Sequence, residues 1–211
     1  QPMKNILLSV MALMVISLTS LAQCLIEPVS LENRVMSSDL IVEATIMNQV
    51  SFIDDNDQHI YTANYLKISK IFKGSSNSEE VVLVSPGGLV GMNGETVHPS
   101  IHVEEGMTGI FFLYNSNITG DNSLKNYKPF SGPQACIYYD LARGSANDAF
   151  TSYPSIDNVY GKLFEILGSN FRTIGKIDLQ NKANNKVNTE IIDYYPKTVH
   201  AGVRMKLTIV G

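Results

Sequence analysis

Apolar residues in this chain fall into short dense runs separated by polar turns, with one longer uncharged run at the start. Residues 6–21 carry no charged side chain and follow a single cation, Lys4. That is the length of a secretory h-region, and Ser20 and Ala22 supply the small residues of a signal-peptidase site. Residues 1–22 are therefore expected to be a signal peptide, with Gln1 and Pro2 upstream of its Met3, and cleavage would leave Gln23 first. A membrane anchor is the alternative reading, but the run is at the short limit for spanning a bilayer.

The mature part reads as mainly β. Pro28, Glu32, Leu31 and Val35 predict a short helix over 28–38. Leu40, Ile41, Val42, Ala44 and Ile46 predict a strand over 39–50 that is buried on much of both faces. The cluster Asp54-Asp55-Asn56-Asp57 is a turn, and the run over 60–72 completes a hairpin. A third strand centres on Val81-Val82-Leu83-Val84 and is stopped by Pro86-Gly87-Gly88. Residues 95–103 predict a short edge strand limited by Pro99. Thr108-Gly109-Ile110-Phe111-Phe112-Leu113-Tyr114 is the most apolar strand; a polar loop follows, then two short strands over 130–141. Ile156, Val159, Tyr160, Leu163, Phe164 and Leu167 recur three and four residues apart, which predicts an amphipathic helix ending at Gly168. Residues 169–188 are polar and Asn-rich and read as a linker, after which 189–211 read as the start of a second β domain.

Composition adds limits. The 211 residues carry a formal net charge of −4 and 17% charged residues, with 44% hydrophobic residues to build a core. That mild acidity excludes a basic phosphate-binding stripe and hence nucleic acid as the expected partner. After signal cleavage the two cysteines are Cys24 and Cys136. In an oxidising compartment they are expected to pair, closing a loop of about 110 residues worth roughly 3–5 kcal/mol; a free thiol or a lipidated Cys24 is the alternative.

No motif amounts to a catalytic constellation. His98 and His102, with Glu104 and Glu105, have zinc-like spacing, but Pro99 and the flanking turns place them in a loop. The Asp54–Asp57 cluster lacks the glycine and downstream glutamate of a calcium loop. The glycines at 87, 88 and 91 are not followed by Gly-Lys-Ser/Thr and read as a strand stop. Cys136 has no histidine in a context suited to activate it, and Tyr138, Tyr139, Tyr153 and Tyr160 read as packing at the core and its rim.

Two resemblances enter on particular residues. Cys24, the short helix, Ser38-Asp39-Leu40-Ile41-Val42-Glu43-Ala44 and Lys70-Ile71-Phe72-Lys73-Gly74 resemble the netrin-like module, which includes the N-terminal domain of tissue inhibitors of metalloproteinases. The resemblance covers 23–168 and implies an OB-type antiparallel barrel of five or more strands flanked by helices, with a bridge between Cys24 and Cys136. It also implies a metalloprotease regulator as an alternative function, from which the chain departs because Gln23, which readily cyclises, would lead in place of a cysteine. Ile191-Ile192-Asp193-Tyr194-Tyr195-Pro196 and Leu207-Thr208-Ile209-Val210-Gly211 resemble the opening of an Ig-like IPT/TIG domain, as in secreted multidomain bacterial proteins that use type IX secretion, some of them matrixin-type proteases.

The combined expectation is a non-catalytic, secreted or cell-surface binding or spacer domain of a larger protein. It needs no cofactor or metal and has an unknown protein or glycan as ligand, with a protease as one candidate. The expected binding face comprises Gln23, Asp55, Asp57, Gly88 and Leu89.

Overall fold

A computed structural model of the chain describes residues 26–168 and 171–175 and the backbone of 204–208. The first described helix, α1 (Leu31–Ser37), starts at Ser30, whose hydroxyl accepts from Asn33 N at 3.2 Å in an N-cap. Two long strands follow as a hairpin, β1 (Leu40–Ile53) and β2 (Ile60–Lys73). Next come β3 (Glu80–Pro86), a small hairpin of β4 (Gly88–Val90) and β5 (Asn93–Val97), and the apolar β6 (Thr108–Asn115). Then β7 (Asn126–Pro129), a 3-10 turn over Gly132–Gln134, β8 (Cys136–Asp140), β9 (Ser145–Asn147) and β10 (Ser152–Tyr153) lead into α2 (Ile156–Leu167). Ser155 caps α2, and Gly168, with φ at +79°, ends it. Strand β11 (Arg172–Thr173) pairs with β2, inside the stretch expected as linker, and β12 (Arg204–Thr208) pairs with β5.

The main sheet is mixed and has nine strands, in the order β1-β2-β3-β7-β6-β8-β9-β10 with β11 on β2. Strand β1 is hydrogen-bonded on both sides, to β2 and to β6, so the sheet curls around its inner face. The second edge of β6 is divided: Leu113–Asn115 pair with β7, whereas Gly109–Phe111 pair with β8. The sheet therefore continues past β6 to an edge at β10. This corrects the expected antiparallel OB-type barrel: the β3–β7 ladder is parallel, and the nine-stranded sheet as a whole does not close. The physical reason lies at Gly109. A Cβ there would sit 2.4 Å from Ile137 O, so the absent side chain admits the β8 backbone alongside β6.

Strand alternation divides the core in two. Leu40, Val42, Ala44 and Ile46 of β1 join Phe111 and Leu113 of β6 in the cluster on the inner face. Ile41 of β1 and Ile110 and Phe112 of β6 point the other way, against Val35 of α1 and Val159 and Leu163 of α2. Both faces of β1 and β6 are thus covered, which is why their sequences read as continuous apolar runs. A smaller cluster of Tyr61, Ala63, Val82 and Val84 lies beyond them. Among the described residues no helix is long and apolar enough to cross a membrane.

Cys136 overturns the expected crosslink. It is a free, fully buried cysteine packed in the inner cluster, and no disulfide is formed among the described residues; Cys24 lies outside them. Burial in apolar surroundings pushes the Cys136 thiol well above its usual pKa, which suppresses the reactive thiolate. Cys136 is expected to be silent to a thiol reagent in the native protein and to react once denaturant is added. Rapid labelling without denaturant would contradict the burial, and no labelling in denaturant alone would show a disulfide.

Candidate functional site

An open groove of about 530 Å³ lies beside the β4–β5 hairpin. The elements around it are held by specific contacts. Gly87 N donates to Ile60 O at 2.8 Å, and Thr62 Oγ1 donates to Gly87 O at 2.8 Å. The buried Glu95 carboxylate accepts from Ile60 N at 2.8 Å and lies 3.0 Å from His59 Nδ1. These contacts dock β5 on the start of β2. Gly88 is there for close approach: with φ at +142°, a Cβ would fall 2.4 Å from Ser51 Oγ and 2.5 Å from Thr62 Oγ1.

The floor of the groove is polar. Gln49, Thr62 and Ser85 line it, and the buried Asn64 beneath ties them together. Asn64 Nδ2 donates to Leu83 O at 2.7 Å and to Ser85 Oγ at 3.0 Å, and its Oδ1 accepts from Gln49 Nε2 at 2.6 Å. Gln49 Nε2 also donates to Val103 O at 3.0 Å, which pins the opposite wall, residues 100–103, to β1. Tyr138 secures the same wall by donating its hydroxyl proton to His102 O. One rim is apolar: Leu89 lines the groove and is 54% exposed, and Met92 in the following turn is 65% exposed. Leu89 N reaches Ser51 Oγ at 3.3 Å, and pleat alternation puts the exposed Ile53 on the same face of β1 as Ser51.

The structure brings together some of the sequence-predicted residues and separates others. Gly88 and Leu89 lie in β4 on the groove. His98 and His102 also line it, although the stretch expected as an edge strand over 95–103 forms a strand only through Val97. His102 Nε2 lies 3.2 Å from Glu104 in an exposed pair. Asp55 and Asp57 sit at the β1–β2 hairpin tip and are not among the groove's lining. Asp57 accepts from His59 N at 2.9 Å and from the Tyr61 hydroxyl at 2.7 Å, so its carboxylate shapes the turn. Gln23 falls outside the described residues. Among the described residues, no group of three or more His, Cys, Asp or Glu side chains is placed to hold a metal ion.

A second polar constellation lies on the helix-facing side of the sheet and gathers Tyr139 and Tyr160, expected as packing residues, around Glu43. Glu43, in the middle of β1, is fully buried. Its carboxylate accepts from Ser69 Oγ at 3.0 Å, Lys70 Nζ at 3.1 Å, the Tyr139 hydroxyl at 2.9 Å and the Tyr160 hydroxyl. Lys70 Nζ also donates to Tyr160 Oη at 2.7 Å and lies 4.5 Å from the centroid of that ring. Four donors from β2, β8 and α2 thus converge on one buried carboxylate and fasten α2 to the sheet. The signal in the sequence is a single charge at position 43, within the mostly apolar first half of β1.

The phenols of this cluster resist ionisation. Burial raises the pKa of Tyr139 and Tyr160, with the Glu43 charge adding to it for Tyr139 and the Glu43 hydrogen bond for Tyr160. For Lys70, burial works to lower the pKa, but the hydrogen bond to Tyr160 and the Glu43 charge outweigh it and the net shift is upward. An unfolded chain loses phenol protons near pH ~10, whereas the folded one retains them. The stability linked to these groups is therefore complete below that pH and is lost as pH rises through the raised folded values. Alkaline titration at 295 nm should show Tyr139 and Tyr160 ionising only as near-UV dichroism collapses. Ionisation of all ten tyrosines near pH ~10 with the fold intact would contradict this.

No family model matches the chain, and no curated protein or solved structure is significantly similar to it. The resemblances to the netrin-like module and to an IPT/TIG domain are accordingly withdrawn. The motif around β1 and the end of β2 reflects a strand buried on two faces and its hairpin partner, a pattern that packing alone produces.

Proposed function

We propose that this chain is an exported, non-catalytic binding domain whose recognition face is the groove between the β4–β5 hairpin and residues 100–103. The observation that carries the reading is an apolar rim over a polar floor. Leu89 is more than half exposed at a groove whose floor amides and hydroxyls are locked by one another. A rigid, shallow, mixed surface of this kind suits an extended protein segment, held by its backbone along the floor and by one apolar side chain against Leu89. The uncharged run over 6–21 supports export.

Leu89→Asp tests the reading. Because Leu89 is exposed, the substitution should change folding stability by no more than about 0.5 kcal/mol. It should weaken binding to any peptide or glycan captured from an array by at least about tenfold, since a desolvated anchor is worth about 1.4 kcal/mol or more. Unchanged affinity in a folded L89D protein would remove the groove as the recognition face.

A further inference from the structure

The β4–β5 hairpin is small for its position. Strand β4 pairs with β5 only at Asn93, Gly94 and Glu95, and a two-stranded hairpin of this length is marginal without a third strand. That third strand is β12. It pairs antiparallel with all of β5, from Arg204 opposite Val97 to Thr208 opposite Asn93. The chain's own distal segment therefore occupies the outer edge of β5, with residues 176–203 in between. The hairpin itself is fixed independently of β12, through Glu95 on Ile60 N and Gly87 on Ile60 O. The acceptor edge is thus held in place by the main sheet, and its occupant pairs with it through a five-residue backbone ladder.

We propose that the outer edge of β5 is a strand-acceptor site for an extended, antiparallel segment of a partner protein, and that Arg204–Thr208 is its resident intramolecular occupant. Main-chain ladder bonds supply the affinity in such β-augmentation, so one strand replaces another without new chemistry. An unfilled edge is exposed to unwanted pairing, and the resident strand covers it until a better-fitting one arrives. Its sequence, Arg-Met-Lys-Leu-Thr, alternates polar and apolar residues as a half-buried strand does, and its register sets Met205 opposite Thr96 and Leu207 opposite Gly94. A competing segment is expected to share that alternation. Tethering gives the resident strand an effective concentration on the order of millimolar, so a free peptide meets a substantial barrier in the intact chain. This inference goes beyond the groove reading and stands whether or not the groove takes a ligand.

The test uses the full chain, a Leu207→Pro variant and a synthetic peptide carrying residues 202–210. Proline removes a ladder donor and disfavours the strand. In the unmodified chain, the β5 amides that face away from β4 should exchange slowly with deuterium. In L207P they should exchange at least about tenfold faster, while the amides of β1 and β2 stay protected. The peptide should bind L207P at least about tenfold more tightly than it binds the unmodified chain and restore the protection, and a peptide with proline at 207 should not. Fast exchange of those amides in the unmodified chain overturns the pairing even if L207P misfolds. Peptide binding that leaves β5 exchange unchanged overturns the acceptor site, and protection that grows with protein concentration overturns the intramolecular occupant.

Discussion

Replacing Glu43 with alanine is expected to destabilise the protein by about 3–5 kcal/mol, because removing one partner of a buried ion pair leaves the other uncompensated. The carboxylate is the common acceptor for Ser69, Lys70, Tyr139 and Tyr160, of which Ser69 and Tyr139 are buried. Lys70 is partly exposed, at 24% of its side chain, and can turn outward, which moves the expected loss toward the lower end. The tyrosine hydroxyls cannot turn outward so easily, since their rings are fixed. Tyr139 sits in β8 within the second core cluster, and Tyr160 packs on Phe72 with centroids 5.8 Å apart. Part of the loss should appear as loosening of α2, because Tyr160 is the helix's contribution to the cluster. Urea unfolding gives the magnitude, and hydrogen exchange in α2 gives its location. A loss under about 1 kcal/mol with α2 still protected would contradict a fastening role for Glu43.

Asp148→Asn should be nearly as damaging, at about 3 kcal/mol or more. Arg34 of α1 is buried, and its guanidinium meets Asp148 Oδ2 at 2.6 Å, with side-chain exposures of 4% and 2%. The same guanidinium donates to Gln134 O at 3.0 Å and lies 5.1 Å from the Phe112 centroid, while its Nε has no hydrogen-bond partner. The charge of Asp148 is thus the main compensation for a cation taken out of water. Asparagine retains the acceptor that Asp148 gives to Phe150 N and Thr151 N, so the turn before β10 survives, while its Nδ2 replaces the oxygen facing Arg34 and removes both the charge and that hydrogen bond. Adding Arg34→Met to Asp148→Asn should recover a large part of the loss, since a well-packed apolar pair often equals a buried ion pair. A double variant that unfolds as easily as Asp148→Asn alone would contradict this assignment.

Much of the sheet was legible because both faces of its central strands are covered. Leu40 to Ile46 is apolar except for Glu43 and Thr45, Gly109 to Leu113 is apolar throughout, and alternation sends neighbouring residues into different clusters. Helix α2 was legible from its apolar spacing, with Gly168 at the end where a left-handed residue is needed. The curling and continuation of the sheet were not, because they depend on which edges meet. Nothing local in Asn126–Pro129 announces a strand lying parallel to β3. Strand β4 was hidden for a similar reason: Gly88 reads as a strand stop, yet the missing side chain lets this backbone lie against Ser51 and Thr62.

At the groove, the sequence pointed to Gly88 and Leu89 but not to the floor beneath them. Gln49, Asn64 and Ser85 come from three strands and look like ordinary polar positions in each. The expected crosslink failed on a different point. An even count of cysteines in an exported chain suggests a bridge, but Cys136 is a core residue, buried like the Ala135 and Phe111 packed in the same cluster. Its small apolar volume, and not its redox chemistry, accounts for its place beside Gly109.

The most direct measurement of the binding claim is a chemical-shift map of the isotope-labelled full chain, titrated with the tightest peptide or glycan from the array. The groove account predicts saturable shifts concentrated at Gln49, Thr62, Leu89, Thr96 and His102, absent in Leu89→Asp. Saturable shifts concentrated on another face, and preserved in Leu89→Asp, would contradict it.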